Sequence, residues 1–365
     1  WIDLKNADVI LAMGGNPAAN HPVSMKWIMR ARAKGAKLIC VDPRFSQTAA
    51  KADLYAPLRS GTDIAFLGGM INYILEKDLI FKEYVLNYTN APFLVSGDYK
   101  GPGELDGLFS GYNTEKKNYD KKTWSFQMDA NGLPMKDLTL QDPNCVYQLL
   151  KKHYSRYNVD KVVSITGTPK EKLLAVYELY SSTGKPDRVG TECYAMGWTQ
   201  HTVGVQNIRA MTIIQMLLGN MGMAGGGINA LRGEANVQGS TDYGLLFHIL
   251  PGYNPTPTAA VPDLATYIEK NTPKTKEPRS VNWWQNRPKY IVSYLKAIYG
   301  DAATKENDFG YGWLPKTDIG QNASWLMIFD KMLKGDFEGF FAWGQNPACS
   351  GANSNKTRLA LTKLK

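Results

Sequence analysis

An apolar run that ends in glycine constrains this chain more than any other feature. Asp8-Val-Ile-Leu-Ala-Met13 runs straight into Gly14-Gly15-Asn16-Pro17. A short, unbroken apolar stretch suits a strand covered on both faces, as parallel strands are. Pro22 fits the first turn of a following helix, where a missing N–H does no harm. Val23, Trp27, Ile28 and Ala31 then fall on one helical face, and Gly35 closes the helix. Lys37-Leu-Ile-Cys-Val41 reads as a second strand, closed by Asp42-Pro43-Arg44. The unit is βαβ, and it commits the chain to an α/β fold with a parallel sheet.

The pattern continues. Ser60-Gly-Thr-Asp63 opens a helix, with Thr62 as its N-cap and Asp63 at its positive end. Ile64, Leu67, Ile71 and Ile74 supply its apolar stripe, interrupted by Gly68-Gly69. Residues 97–145, rich in Gly, Asp, Asn and Lys with interleaved aromatics, read as a surface insertion carrying a hairpin that turns at Asp129-Ala-Asn-Gly132. Thr168-Pro169-Lys170-Glu171 starts another helix, with Thr168 as N-cap and Pro169 at the first position. A strand near 188–196 leads into Gly197-Trp-Thr-Gln-His201 and a helix over 205–219. Residues 250–325 read as a long surface excursion with one helix near 290–299. Gly339-Phe-Phe-Ala-Trp-Gly344 reads as a strand, and Gln345-Asn346-Pro347 repeats the first strand's Gly-x-Asn-Pro ending. Two such endings suggest two nucleotide-binding sheets. The predicted organisation is a first α/β domain over 1–232 and part of a second over 233–365.

At 365 residues the chain has room for more than one core. Its net charge of +9 comes from 42 Lys and Arg against 33 Asp and Glu, dispersed without a long basic run, so a nucleic-acid partner is not supported. Cys40, Cys145, Cys193 and Cys349 form no C-x-x-C pair, so no zinc or iron–sulfur site is written locally and each reads as a small buried apolar side chain. H-E-x-x-H, G-x-S-x-G and P-loop motifs are missing, and no G-x-G-x-x-G supports a nicotinamide cofactor. The chain starts at Trp1 without a signal-like segment and reads as an internal piece of a longer protein.

In an open α/β sheet, ligands sit beyond the carboxyl ends of the strands. Gly14-Gly15-Asn16, Asp42-Pro43-Arg44 and Gly61-Thr62-Asp63 fall there. Asp42 either accepts hydrogen bonds from a nucleotide or simply forms the turn before Pro43, and His21 is either a structural cap or a cofactor contact. The densest polar group is Leu231-Arg232-Gly233-Glu234-Ala235-Asn236-Val237-Gln238-Gly239, flanked by glycines. Arg232 has the planar fork of donors that holds a carboxylate by two parallel bonds. The alternative is a polar loop with a surface arginine.

Taken in order, Gly15-Asn16-Pro17 with His21-Pro22, Asp42-Pro43-Arg44, Ser60 to Asp63, Gly197 to His201 and Leu231 to Gly239 resemble the catalytic subunit of molybdopterin-dependent formate dehydrogenases. The likeness covers essentially the whole chain, and Tyr112-Asn-Thr-Glu-Lys116 to Trp124 is similar to the respiratory, membrane-associated type. The resemblance implies two pterin guanine dinucleotides (bis-MGD) around one molybdenum or tungsten, cradled by two α/β domains related by a pseudo-two-fold axis. Carried over as cofactor contacts are Asn16, Asp42, Arg44, Gly61, Asp63, Gly197, Thr199, Gln200, Gln238, Gln345 and Asn346. Arg232 takes the place of the arginine that orients formate during its oxidation to carbon dioxide. The family's selenocysteine or cysteine metal ligand and its [4Fe-4S] cysteines lie upstream of this segment, so no metal ligand is assigned here. Also implied are electron transfer to an iron–sulfur subunit, a membrane cytochrome b partner and a periplasmic location. Two rivals remain: a nitrate, sulfoxide or polysulfide reductase of the same superfamily, and a structural homologue that has lost the cofactor.

Overall fold

A computed structural model describes residues 1–233, 237–278 and 280–365. The chain divides into two compact units, Trp1–Gly233 and Glu234–Lys365. Glu234 and Asn236, part of the polar loop singled out above, lie outside the described residues.

The first unit is built on a five-stranded parallel sheet. Its strands are β1 (Val9–Met13), β2 (Lys37–Val41), β3 (Leu54–Ala56), β4 (Gly190–Tyr194) and β5 (Gly227–Ala230), in the order β3-β2-β1-β4-β5. Register is set by Val9 opposite Lys37 on one side of β1 and opposite Gly190 on the other. Every residue of β1 is fully buried. Alternation sends its side chains two ways. Ile10 and Ala12 meet Ile28 and Ala31 of α1 (Met25–Arg32). Val9, Leu11 and Met13 join a larger core with α2 (Asp63–Glu76), α3 (Val159–Thr166), α4 (Lys170–Ser181) and α5 (Gly204–Leu217).

The helices differ from the sequence reading in detail. Val23 is exposed, and Ser24 is buried in its place beside Ile28 and Ala31. A 3-10 turn over Pro22–Ser24 precedes α1 and rotates that first turn off the α-helical phase. Thr62 does sit at the N-cap of α2, but its hydroxyl donates to the Arg59 carbonyl instead of capping. Thr168 is likewise spent elsewhere, donating to the Pro57 carbonyl, and Pro169 is the N-cap of α4. Gly68 and Gly69 stand where two neighbours press on α2. A Cβ at Gly68 would lie 3.1 Å from the Tyr157 ring, and one at Gly69 would lie 2.4 Å from the Tyr177 hydroxyl.

The insertion forms a small hairpin, Tyr112–Asn113 against Asn118–Tyr119, and a second turn closed by Asp129. The Asp137 carboxylate accepts from the backbone N–H groups of Thr139, Gln141 and Asp142 and from the Thr139 hydroxyl.

The second unit is mainly helical, with α6 (Leu264–Asn271), α7 (Arg287–Tyr299), α8 (Trp325–Lys334) and α9 (Ser354–Leu361), beside a short antiparallel pair, Ile249–Leu250 against Asn254–Pro255. Two expectations need correction. Residues 250–325 are more than a surface excursion, because Val261, Leu264, Tyr267, Ile291, Leu295, Tyr311 and Leu314 form a buried core. Tyr267 and Tyr311 enter it by donating their hydroxyls to the carbonyls of Pro255 and Val261. Nor is Gly339–Gly344 a strand: among the described residues it has no strand partner, and Phe341 and Trp343 are 87% and 84% exposed. An apolar run makes a strand only where another strand takes its backbone groups. No helix among the described residues is long and apolar enough to cross a membrane.

Candidate cofactor site

The strand order creates the site. From β1 the chain runs outward through β2 and β3, then returns to place β4 on β1's other side. The connections after β1 and β4 therefore diverge, and a crevice opens at their carboxyl ends. A cavity of about 260 Å³ lies there, lined by Gly14, Gly15, Asn16, Asp42, Pro43, Ser60, Asp63, Gly197 and His201.

The two diverging connections are locked together backbone to backbone. The Gly14 carbonyl accepts from the N–H groups of Ala195 and Gly197, each at 2.9 Å. Gly14 has φ +77°, and a Cβ on it would lie 2.5 Å from the Trp198 ring. A Cβ on Gly197 would lie 2.7 Å from the Gly14 carbonyl oxygen. Both positions need glycine, for conformation in one case and close approach in the other. Trp198 is fully buried and stacks on Tyr194 with centroids 5.3 Å apart. Asn16 is tied down as well: its side-chain oxygen accepts from the Thr48 hydroxyl at 2.7 Å and from the Thr48 N–H at 3.2 Å.

Two carboxylates face this cavity. Asp42 accepts from the Arg44 N–H at 2.8 Å, so it forms the turn and lines the cavity at once. Asp63 opens α2 and is only 6% exposed. Burial pushes its carboxyl above the usual range, and Asp42 adds to that; its own backbone N–H, His201 and the Trp198 indole pull the other way. Among the described residues the buried indole N–H has no acceptor within hydrogen-bond distance. A paired carboxylate lining repels phosphate. It suits a ligand that donates hydrogen bonds, such as the N–H edge of a base or the hydroxyls of a ribose.

Of the residues singled out in the sequence, Asn16, Asp42, Asp63 and Gly197 line one cavity, and Gly61 adjoins it through His201. Arg44, Thr199 and Gln200 are exposed and are not among its lining residues. Arg232 follows β5, and its side chain is also exposed. Gln238, Gln345 and Asn346 belong to the second unit, where all three are exposed. Gln238 lies on the short helix Val237–Asp242 and Asn346 is the N-cap of the helix Pro347–Ser350. Ser60 and His201 line the cavity although neither was singled out as a contact. Their signal was present, since each is the end residue of a motif already read there.

Cys40, Cys145 and Cys193 are buried, and burial pushes the Cys40 thiol up to about 12. Cys349 is exposed, contrary to the buried reading, because it sits in the short helix after Asn346 at the edge of the second unit. Among the described residues no group of three or more His, Cys, Asp or Glu side chains could hold a metal.

Comparisons with known proteins agree with this architecture. The family described as Molybdopterin oxidoreductase matches residues 1–365. Formate dehydrogenase subunit alpha of Megalodesulfovibrio gigas is 63% identical over 364 residues, which is 100% of this chain and 35% of that protein. Formate dehydrogenase 2 subunit alpha (cytochrome c-553) of Nitratidesulfovibrio vulgaris is 56% identical over 100% of this chain and 36% of its own length. The nitrate-inducible formate dehydrogenase major subunit of Escherichia coli is 53% identical over the same shares. The chain thus spans about a third of the length of these relatives. Among solved structures, acetylene hydratase from Pelobacter acetylenicus aligns over 59% of this chain and 22% of its own, at 23% identity and a TM-score of 0.40, too slight a likeness to carry any argument. With a strand-end cradle in place and a family match from the first residue to the last, the chain belongs to the molybdopterin oxidoreductases.

Proposed function

We propose that this chain is the cofactor-cradling part of a formate dehydrogenase catalytic subunit, which oxidises formate to carbon dioxide, a proton and two electrons. Family membership brings a molybdopterin cofactor with molybdenum or tungsten. The first unit fits such a group. Its glycines let the connections after β1 and β4 close up at the switch point, and Asp42 and Asp63 accept from the N–H edge of a guanine or from its ribose. This cavity holds the nucleotide end of one pterin guanine dinucleotide. Gln238, Gln345 and Asn346 hold that of a second. The bound metal supplies the two-electron acceptor. Its protein ligand and a [4Fe-4S] cluster come from parts of the protein outside these residues, as do the contacts to an iron–sulfur subunit and a membrane cytochrome b. A periplasmic location is part of the same proposal and rests on the likeness to the respiratory type.

The observation that carries the substrate assignment is the placement of Arg232. It follows the last strand of the sheet whose carboxyl edge bears the cavity, and its guanidinium is exposed there. Its planar fork pairs with a carboxylate through two parallel bonds, and Lys lacks that geometry. In the complete protein, Arg232→Lys lowers formate turnover by about ten- to a hundred-fold, the equivalent of roughly 1–3 kcal/mol. Steady-state assays with formate and with nitrate check this. Undiminished formate turnover, or reduction of nitrate in its place, overturns the assignment.

A further inference from the structure

The structure shows what fixes the backbone of Arg232, and it is a residue from the other end of the first unit. The ladder between β4 and β5 ends when the Leu231 N–H donates to the Tyr194 carbonyl at 2.7 Å. Arg232 is the next residue. The His21 ring Nε2 lies 2.7 Å from the Arg232 carbonyl oxygen. A carbonyl only accepts, so Nε2 carries the proton and donates it.

His21 is itself held from several sides. Its N–H donates to the Pro17 carbonyl at 3.0 Å, and its carbonyl accepts from the Ser24 N–H at 2.9 Å and the Ser24 hydroxyl at 2.6 Å. The Trp1 ring packs on the imidazole with centroids 5.2 Å apart. Among the described residues Nδ1 is buried and without a partner, so the ring's one hydrogen bond to them is the one to Arg232. This residue caps the short helix Pro17–Asn20, whose N-cap Asn16 lines the cofactor cavity. A continuous chain of bonded backbone therefore runs from the cavity wall to the arginine.

We propose that His21 is the positioning residue of Arg232. It holds the arginine's backbone to the turn after β1, so that the guanidinium is presented at a fixed distance from whatever the cavity binds. A side chain two residues beyond the end of a strand pivots freely unless its carbonyl is anchored, and misplacement by an ångström is enough to weaken a two-bond clamp on a small carboxylate. The inference rests on the reading of Arg232 as the formate-holding residue.

The test uses His21→Gln and His21→Asn in the complete, cofactor-loaded protein. A Gln amide reaches about as far as Nε2 and restores the donor, whereas the shorter Asn amide imitates Nδ1 and leaves the Arg232 carbonyl unheld. His21→Asn is expected to raise the formate KM about tenfold with kcat changed much less, since substrate holding is lost before chemistry. Hydrogen exchange of the amides just after β5 should quicken in the same variant. His21→Gln should return both readouts close to wild type. Equal behaviour of the two variants, in KM and in exchange, overturns the proposal. Arg232→Lys is assayed alongside. If it loses formate turnover while the His21 variants behave alike, only the positioning role falls. If it keeps turnover, the substrate reading falls, and the exchange data alone decide whether His21 anchors the segment.

Discussion

The chain uses the same turn twice, and the two copies have different surroundings. At Gly14-Gly15-Asn16-Pro17 and at Gly344-Gln345-Asn346-Pro347 the first glycine has positive φ, +77° and +65°. Asn is the N-cap in both, at φ −124° and ψ 72° in one and φ −121° and ψ 86° in the other. The carbonyl of each Asn accepts from the N–H groups three and four residues on, and a four-residue helix with Pro in its first turn follows. The residues before the turn diverge completely. Val9–Met13 is a fully buried strand, while Phe341 and Trp343 lie open. Local sequence is sufficient for the turn. The strand and the cavity beside it need partners from distant parts of the chain, which the first unit has and the second lacks among the described residues.

Substituting the paired glycines gives the largest contrast. In the cofactor-free complete protein, Gly14→Ala combines left-handed strain with a clash against Trp198 and is expected to cost roughly 3–5 kcal/mol by denaturant unfolding. Gly344→Ala has no atom of the described residues within 4 Å of the new Cβ, so it meets strain alone, about 1–2 kcal/mol. Equal costs would mean that the second turn is enclosed as tightly as the first once the rest of the protein is present. The asparagines come next. Asn16→Ala removes an acceptor that satisfies both Thr48 donors, for about 1–3 kcal/mol. Asn346 makes no side-chain cap bond, so Asn346→Ala should cost less than about 1 kcal/mol.

A further contrast concerns a cost of enclosure that falls on the first unit. Glu192 of β4 is fully buried, and neither carboxylate oxygen has a partner among the described residues. Burial therefore holds its carboxyl well above the usual 4.5. A raised folded-state value means the fold favours the protonated form. That contribution is complete below the unfolded value and is lost as pH rises through the folded one. Wild-type stability should thus fall as pH climbs from about 4.5, and Glu192→Gln should remove this slope. The variant should be the more stable at pH 8, by about 1.4 kcal/mol for each pH unit between 4.5 and the folded-state value, and should match wild type at pH 4.5 and below. A wild-type profile that keeps its slope in the Gln variant would assign the slope to another group.

The turns, β1, β2 and the Thr62-Asp63 helix start were legible because each depends on residues close in sequence. The placement of β4 beside β1 was not, since it depends on a pairing across more than half of the first unit. That pairing makes the cavity, so the sequence showed its parts without their assembly. His201 and Ser60 could be assigned only when α2 and the turn after β4 were brought together. The core around Tyr267 and Tyr311 escaped because tyrosines and prolines read as surface until their hydroxyls find carbonyls. The strand expected at Gly339–Gly344 shows the converse: a strong local pattern without a partner stays irregular.

The central claim is that the cavity at the β1/β4 switch point holds the guanine end of a pterin dinucleotide through Asp42 and Asp63. The most direct measurement is the amount of guanine nucleotide released per metal atom from the purified complete protein, compared with its Asp42→Leu variant. The wild type should release two guanine nucleotides per metal, and Asp42→Leu, with its helical circular dichroism unchanged, should release at most half as much per protein molecule. Full retention in the folded variant would contradict the claim.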